Sequence, residues 1–366
     1  MAKRLGYIDI AKCIAIVGII VGHMGLVFSS PKVTGGMPSE LVAFVFTFHL
    51  PVFLVVSGFF FSQEAQADGR LAKKGALGLL LPYVVTSLLI IAGCVAVAHM
   101  HGLVRKDELV RWSQAALWGA GSKTDLALWN VERIGGIWYL PALFWAQLVV
   151  ATTHRLDGLT RLLVLAICTA AAAVSARNVW LPLSIQSGLG CALYLYVGML
   201  ARKLGAFDRK LSPFVLVLFL ATWGYEFALH GGGSLAMQIY PLGAITVLGG
   251  LCATFVIVRV SRVLELHSGQ VSRFMQWIGR NTLPILCAHI LEDNMLRWGQ
   301  IGAWFCGLTG NWAGTWIVVL ALRFAVDALL VAAFYAIPPL RLVYFPQARK
   351  ARAKADVKQP LHAAKQ

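Results

Sequence analysis

The first apolar segment of the chain, YIDIAKCIAIVGIIVGH, contains three ionisable residues, Asp9, Lys12 and His23. A charge at the centre of a bilayer-spanning helix costs about 2.5–3.5 kcal/mol on insertion scales, so such a residue usually has a partner or a functional role. Lys12 and His23 are eleven residues apart, and at about 100° per residue they share one helix face, about 16 Å apart along the axis. One face therefore carries a cation near one end and an imidazole near the other.

A second histidine, His49, lies in the next apolar segment within FHLPVFLVVSGFF. In an antiparallel helix we expect it about 12 Å below the outer end, at a depth comparable to that of His23. Imidazole exchanges its proton near physiological pH, so it is suited to accept a proton from an alcohol. The two histidines therefore indicate activation of a hydroxyl group, with a structural hydrogen bond as the alternative role for His49.

The composition predicts that membrane-spanning helices position these residues. Of the 366 residues, 58% are hydrophobic and 13% charged, and apolar runs of about twenty residues recur along the chain. We predict an all-α, polytopic transmembrane helix bundle of about ten spans. Their bounds lie near 8–28, 41–62, 76–98, 136–153, 162–176, 186–201, 211–229, 236–258, 276–294 and 314–337.

The basic residues orient this bundle. An even number of spans places both termini on one side, and Lys and Arg are denser in the loops of that side, so both termini are predicted to be cytoplasmic. The transmembrane domain is predicted over 1–338, followed by a basic, disordered cytoplasmic tail over 339–366. The net charge of +16 mostly reflects this topology, because the sequence lacks the folded basic domain or groove-reading motif of a nucleic-acid-binding protein.

The cysteines do not indicate a metal centre. All seven are scattered singly, nearly all within the apolar segments. Because no His/Cys pair has the spacing of metal ligands, we expect neither a metal site nor a disulfide framework.

Other polar residues lie in or beside the predicted spans. Arg323 and Asp327 are one turn apart in the last span, so we expect them to neutralise each other as a structural pair, or else to belong to the site. The outer segment 99–135 is interpreted as a membrane-hugging connector or as a lid over an acceptor site. Candidate acceptor contacts are Glu132, Trp138, Tyr139, Glu226 and His289.

The order of Asp9, Lys12 and His23, followed by FHLPVFLVVSGFF, resembles the acyltransferase-3 family of integral membrane proteins, in particular its fucose 4-O-acetylase-like branch. Further similar segments are GGIWYLPALFWAQL at 135–148, LYLYVGMLARK at 193–203 and IGRNTLPILCAHI at 278–290. Many members have Arg at the position of Lys12, and a lysine lacks the bidentate geometry of a guanidinium.

The resemblance implies transfer of an acyl group, acetyl before longer ones, from cytoplasmic acyl-CoA to a hydroxyl of an extracytoplasmic carbohydrate or glycoconjugate. It implies acyl-CoA as co-substrate and a location in the bacterial cytoplasmic (inner) membrane. As the residue spacing and composition already indicate, we expect no metal and no nucleic-acid partner. His23 would be the general base or a transient acyl carrier, and His49 would assist. Lys12 would contact the donor or hold Asp9, and a basic inner end suits the phosphates of coenzyme A. The oligomeric state is left open.

Two other functions remain open at this level. A proton-coupled transporter would use the intramembrane Asp, Lys and His residues, together with Arg323 and Asp327, as a relay. Against it, we find no symmetric broken half-helices of the kind that transporters have. The third alternative is a non-catalytic membrane partner of a polysaccharide-synthesising machine.

Overall fold

The computed structural model describes residues 5–28, 38–61, 70–102, 105–127, 129–230 and 233–349. Within these ranges the chain is helical, with isolated antiparallel bridges between Thr124 and Val131 and between Ser234 and Ile239 in place of strands. The all-α prediction is confirmed. The end of the predicted tail, 350–366, lies outside the described residues.

Fifteen helices follow one another along the described chain. They are α1 (Gly6–Phe28), α2 (Ser39–Phe59), α3 (Arg70–Gly75), α4 (Leu81–Met100), α5 (Arg105–Trp118), α6 (Tyr139–Thr152), α7 (Gly158–Ser175), α8 (Ile185–Lys203), α9 (Pro213–His230), α10 (Ala244–His267), α11 (Gly269–Arg280), α12 (Thr282–Met295), α13 (Trp298–Thr309), α14 (Trp312–Ala336) and α15 (Pro338–Tyr344). A π-helical turn, Ala76–Leu80, joins α3 to α4.

Seven of the helical segments in the described chain are long and apolar enough to cross a membrane, and two apolar helices are shorter, Gly136–Thr152 and Pro213–Leu229. These segments correspond to nine of the ten predicted spans, which agrees with a polytopic bundle. The predicted span 276–294 is instead broken at Asn281 into α11 and α12. Pro284 explains the break, because it has no N–H to donate to the carbonyl of Arg280 and so cannot continue one helix across that point.

A second difference concerns the predicted span 236–258, which is observed as α10 and begins only at Ala244. The residues before it form a loop with the bridge between Ser234 and Ile239. The apolar side chains of this loop suggested a helix, but they line a cavity. Residues just beyond 338 also fold, since α15 packs Tyr344 against the bundle, where its hydroxyl lies 2.9 Å from Thr86 Oγ1.

The first helix lies inside the bundle. Helix α1 contacts α2, α10, α11, α12 and α14, and its residues Ile10, Ala11 and Ala15 have no exposed surface. By contrast, most of the apolar windows of α7 and α14 are exposed, as expected for helices that face lipid. The polar residues of α1 therefore point into the protein and not into the bilayer.

Glycines allow two helix crossings to be unusually close. A Cβ at Gly58 of α2 would overlap the carbonyl oxygen of Leu195, and a Cβ at Gly198 of α8 would overlap that of Val55. Likewise, a Cβ at Gly279 of α11 would overlap the carbonyl oxygen of Asp9. The last crossing holds the end of α11 against the first turn of α1.

Candidate active site

A cavity of about 410 Å³ lies within the bundle, in the size range of small-molecule sites. Lys12 and His23 both line it, as their shared helix face predicts. The other lining residues come from α2, α6, α8, α9, α10, α12, the π-helical turn before α4 and the loops that precede α6 and α10. Because α1 runs along the cavity, a ligand that extends from Lys12 to His23 would occupy a large part of one helix length.

At the Lys12 end of the cavity, two cations share one carboxylate. Lys12 Nζ lies 2.8 Å from Asp9 Oδ1, and Arg280 Nε lies 3.3 Å from Asp9 Oδ2. The close approach at Gly279 brings Arg280 to this position. Of the two roles predicted for Lys12, the structure shows the contact with Asp9. Lys12 also lines the cavity, and its contact with the donor stays a prediction. Arg280 was not among the residues predicted from sequence.

Two histidines meet at the other end of the same helix. His23 Nδ1 lies 3.1 Å from His289 Nε2 of α12. The ring centroids are 5.1 Å apart with an interplanar angle of 28°, so the rings meet through their nitrogen edges and not through their faces. This contact is a hydrogen bond, and its direction depends on which ring carries the proton.

The far side of His289 faces two carboxylates. His289 Nδ1 lies 2.9 Å from Glu292 Oε1 and 3.3 Å from Asp327 Oδ2. An unprotonated nitrogen would repel these oxygens, so the proton of a neutral His289 resides on Nδ1. His289 Nε2 is then an acceptor, His23 Nδ1 donates to it, and the lone pair of His23 Nε2 is left available to accept a proton. With a neutral His289, this chain of contacts leaves His23 in the tautomer that a general base requires.

Arg323 neutralises the acidic side of this arrangement. Its Nη2 lies 2.8 Å from Glu292 Oε1 and 2.5 Å from Asp293 Oδ1, and its guanidinium lies 5.5 Å from the centre of the Trp298 ring. Trp298 Nε1 also donates to Glu292 Oε2. The expected pairing of Arg323 with Asp327 is replaced by these contacts: the two residues point to different partners on α12, and Asp327 contacts His289. We call His289, Glu292, Asp293, Arg323 and Asp327 the buried ion cluster.

Three members of the buried ion cluster have the residue types of metal ligands. The ligand atoms of His289, Glu292 and Asp327 all lie within 4.8 Å of one another. However, Glu292 Oε1 already contacts Arg323 Nε at 2.9 Å as well as the imidazole. A divalent cation at this point would lie against a guanidinium, so the donor set does not fit a metal ion, and we interpret it as a hydrogen-bonded ion network.

His49 also lines the cavity and is almost fully buried. Its Nδ1 lies 2.7 Å from the carbonyl oxygen of Val45, one turn earlier in α2. Donation from Nδ1 to this carbonyl leaves Nε2 as an acceptor. His49 therefore has the same tautomer as the one inferred for His23. Its orientation is fixed by a backbone carbonyl, whereas that of His23 is fixed by a second histidine.

Three of the predicted acceptor contacts line the cavity. They are Trp138 and Tyr139, at the start of α6, and Glu226 of α9. Tyr139 Oη lies 3.5 Å from Ser57 Oγ. Glu226 is 2% exposed, and its Oε2 has no hydrogen-bond partner in the part of the chain that the structure describes.

The structure does not bring Glu132 to the site. Its Oε1 lies 3.4 Å from Arg111 Nη2 and 3.2 Å from Lys123 Nζ at the surface, and it is absent from the cavity lining. The neighbouring Arg133 does line the cavity and contacts Asp293 of the buried ion cluster at 3.4 Å. The sequence signal for Glu292 and Asp293 was their position at the end of an apolar segment, which also contains His289.

Comparison with known proteins gives one finding. The family model described as an acyltransferase domain, of the acyltransferase-3 family, matches residues 5–332. No curated protein and no solved structure matches the chain.

Proposed function

The chain belongs to the acyltransferase-3 family, and from this premise we propose that it is a membrane-embedded O-acyltransferase. Its donor would be cytoplasmic acyl-CoA, with acetyl as the acyl group, and its acceptor a hydroxyl of an extracytoplasmic carbohydrate or glycoconjugate. It would act in the cytoplasmic membrane of a bacterium. The transporter alternative has no support from the family match.

The observation that carries this proposal is the contact between His23 and His289. An alcohol is a weak nucleophile at neutral pH, so its attack on a thioester needs a base within hydrogen-bond reach. His23 faces the cavity, and its Nδ1 lies 3.1 Å from His289 Nε2. The buried carboxylates behind His289 would stabilise the imidazolium that forms on His23, as the aspartate does in a Ser-His-Asp triad.

In the base-catalysed reaction, His23 Nε2 accepts the proton of the acceptor hydroxyl while the hydroxyl oxygen attacks the thioester carbonyl. A new C–O bond forms, the C–S bond breaks, and the proton passes from His23 to the departing thiolate of coenzyme A. In the alternative, His23 Nε2 itself attacks the thioester, so that an N–C bond forms, the C–S bond breaks and the thiolate of coenzyme A leaves. His49 would then take the proton of the acceptor hydroxyl while the hydroxyl oxygen attacks the acyl carbon and the N–C bond breaks. His49 passes this proton to solvent, which protonates the thiolate. Both reactions yield the ester and free coenzyme A.

The inner end of the cavity suits the donor. Lys12 and Arg280 together carry two positive charges against the single charge of Asp9, which leaves a net positive charge for the phosphates of coenzyme A. The roughly 16 Å between Lys12 and His23 along α1 would be spanned by the extended pantetheine arm. Phosphates near Lys12 would thereby place the thioester near His23.

The test uses purified protein in detergent, labelled acetyl-CoA and a panel of glycans. We expect His23→Ala to lower the rate of thiol release and of product formation by about 10³-fold, while the variant stays monodisperse. The matched control is His154→Ala, because His154 is exposed and its ring contacts its own helix end. Full activity of a folded His23→Ala variant would end the assignment of His23, and failure of the wild type with every donor would end the proposal.

The base and carrier mechanisms differ in what accumulates without acceptor. If His23 carries the acyl group, incubation with acetyl-CoA alone releases one equivalent of thiol and leaves an acyl adduct on the peptide that contains His23. If His23 is only a base, no adduct forms. Mass analysis of the acid-quenched protein distinguishes the two.

A further inference from the structure

Glu226 is the least satisfied charged residue of the cavity. It lies in an apolar helix, α9, whose residues Val217 and Leu218 face outward, yet its own side chain is 2% exposed and lines the cavity. Among the described residues, Glu226 Oε2 has no hydrogen-bond donor. A buried carboxylate oxygen without a donor is costly, so its position favours a ligand that supplies one.

The neighbouring helix makes room for this side chain. A Cβ at Gly249 of α10 would lie 2.8 Å from both Cβ and Cγ of Glu226. A Cβ at the adjacent Gly250 would lie 2.8 Å from Pro51 of α2, two residues after His49. Two consecutive glycines thus let α10 approach α9 and α2 together, which directs Glu226 into the space that His49 also faces.

The charges around this space define what kind of ligand fits. The other charged side chains that line the cavity are the cations Lys12 and Arg133, and each is already within 4 Å of a carboxylate, Asp9 and Asp293 respectively. In the described chain, Glu226 has no cation at ion-pair distance. A ligand carboxylate beside Glu226 would therefore meet an unscreened like charge, whereas hydroxyl groups would donate to it.

The loop before α10 completes this part of the cavity. Leu235 and Tyr240 line it, and Tyr240 Oη donates to Gln238 Oε1 at 3.1 Å. The bridge between Ser234 and Ile239 fixes the loop backbone. Trp138 lines the same cavity. An aromatic ring and a carboxylate in one cavity can together accept the apolar face and the hydroxyl edge of a sugar ring.

We propose that Glu226 and its surroundings form an acceptor subsite for a neutral sugar, whose adjacent hydroxyls donate to the carboxylate, and that this subsite excludes sugars bearing a carboxylate. This inference deepens the proposed function and rests on it, because the bound sugar is an acceptor only if the protein transfers an acyl group. The subsite would hold the sugar while a further hydroxyl of the same molecule reaches His23. Glu226 is a binding residue in this scheme and takes no part in proton transfer.

The test compares two matched acceptors, an oligosaccharide ending in glucose and the same oligosaccharide ending in glucuronic acid. The wild type should prefer the neutral acceptor. Glu226→Gln keeps the shape and removes the charge, and we expect it to raise KM for the neutral acceptor about tenfold, with kcat and KM for acetyl-CoA within about twofold. In this variant, the difference in KM between the neutral acceptor and the acceptor that ends in glucuronic acid should become smaller. Glu40→Gln, an exposed glutamate at the start of α2, is the matched control.

A second variant separates the loss of charge from a loss of fold. Gly249→Ala keeps Glu226 but places a methyl group against its side chain, so it should raise KM for the neutral acceptor as well. Thermal unfolding in detergent should show Glu226→Gln at least as stable as the wild type, because removing an unpaired buried charge relieves its desolvation cost. A less stable Glu226→Gln variant with an unchanged KM would overturn the subsite.

A binding measurement distinguishes the two levels of the proposal. Tryptophan fluorescence reports binding of the neutral oligosaccharide without acetyl-CoA. Binding that depends on Glu226 in a protein that transfers no acyl group would retain the subsite and end the proposed function. Acyl transfer that Glu226→Gln does not change, with both sugars accepted equally, would retain the proposed function and end the subsite. Tighter binding of an amino sugar than of the neutral sugar would overturn the proposal that the subsite takes neutral sugars.

Discussion

The buried ion cluster lies behind His23, whereas Glu226 itself lines the cavity, and the two regions differ in how their charges are paired. In the cluster, Glu292 Oε1 contacts both His289 and Arg323, and Asp293 contacts Arg323 and Arg133. Around Glu226, the described chain supplies Oε2 with no donor. Both regions are closed to solvent, so burial alone does not explain the difference.

The difference corresponds to two tasks. A base must hold one tautomer and one orientation before the substrate arrives, and a network of paired charges provides this preorganisation. A binding subsite must instead leave donors or acceptors unused, because they are to be paired by the ligand. Charges that form ion pairs within the protein should therefore matter for stability and kcat. The carboxylate of Glu226, which forms no ion pair among the described residues, should matter for KM.

Arg323 should give the largest effect. Arg323→Ala leaves Glu292 and Asp293 buried without their cation, and breaking a buried pair in this way costs about 3–5 kcal/mol. We expect a large loss of thermal stability or of monodisperse protein in detergent. Arg177→Ala, at an exposed position, should be neutral. Adding Glu292→Gln and Asp293→Asn to Arg323→Ala should recover much of the stability, and no recovery would contradict the charge argument.

His289 should affect the rate more than the fold. His289→Gln removes the imidazole that holds His23 Nδ1, and we expect kcat to fall by about 10²-fold while KM for acetyl-CoA stays within about twofold. Asp327→Asn, which weakens the contact with His289 Nδ1, should lower kcat by about tenfold. Steady-state kinetics measures both. A chelator should leave the wild-type rate unchanged, whereas inhibition that a divalent cation reverses would reassign the cluster as a metal site.

His49 should have a smaller effect, because a backbone carbonyl and not a charge network orients it. We expect His49→Gln to lower kcat about tenfold, with little change in unfolding temperature. The same variant with the acyl group preloaded on His23, if such an adduct forms, isolates the second step. A kcat loss as large as that of His23→Ala would show that the two histidines act as one unit.

Glu132 should give the smallest effect. It forms surface ion pairs with Arg111 and Lys123, and exposed pairs contribute about 0–1 kcal/mol. Glu132→Gln should leave KM for every acceptor and the unfolding temperature close to the wild-type values. A tenfold rise in acceptor KM would place Glu132 in the acceptor path and weaken the contrast with Glu226.

Helix periodicity predicts which residues of one helix share a face, but it does not predict which residues of different helices are in contact. Lys12 and His23 line the same cavity, because eleven residues bring a helix back to nearly the same face. The contact of His23 with His289 joins residues 266 positions apart. It depends on which helices are neighbours, and apolar segments that resemble one another carry little information about this.

Two helix boundaries that the sequence predicted wrongly have similar causes. The break at Asn281 and the loop before Ala244 both occur in apolar sequence that hydropathy extends into a helix. Pro284 was a visible signal for the first. For the second, side chains that face a cavity are as apolar as those that face lipid. Arg280 was missed because its partner, Asp9, lies at the other end of the chain.

The ion pairs also follow the order in which the chain is synthesised. Asp9 and Lys12 are one turn apart, so the first helix brings its own counter-ion into the bilayer long before Arg280 is translated. Arg323 is translated after its partners Glu292 and Asp293, which belong to the earlier helix α12. Each of these cations thus enters the membrane after its neutralising carboxylate, which lowers the cost of inserting the cation.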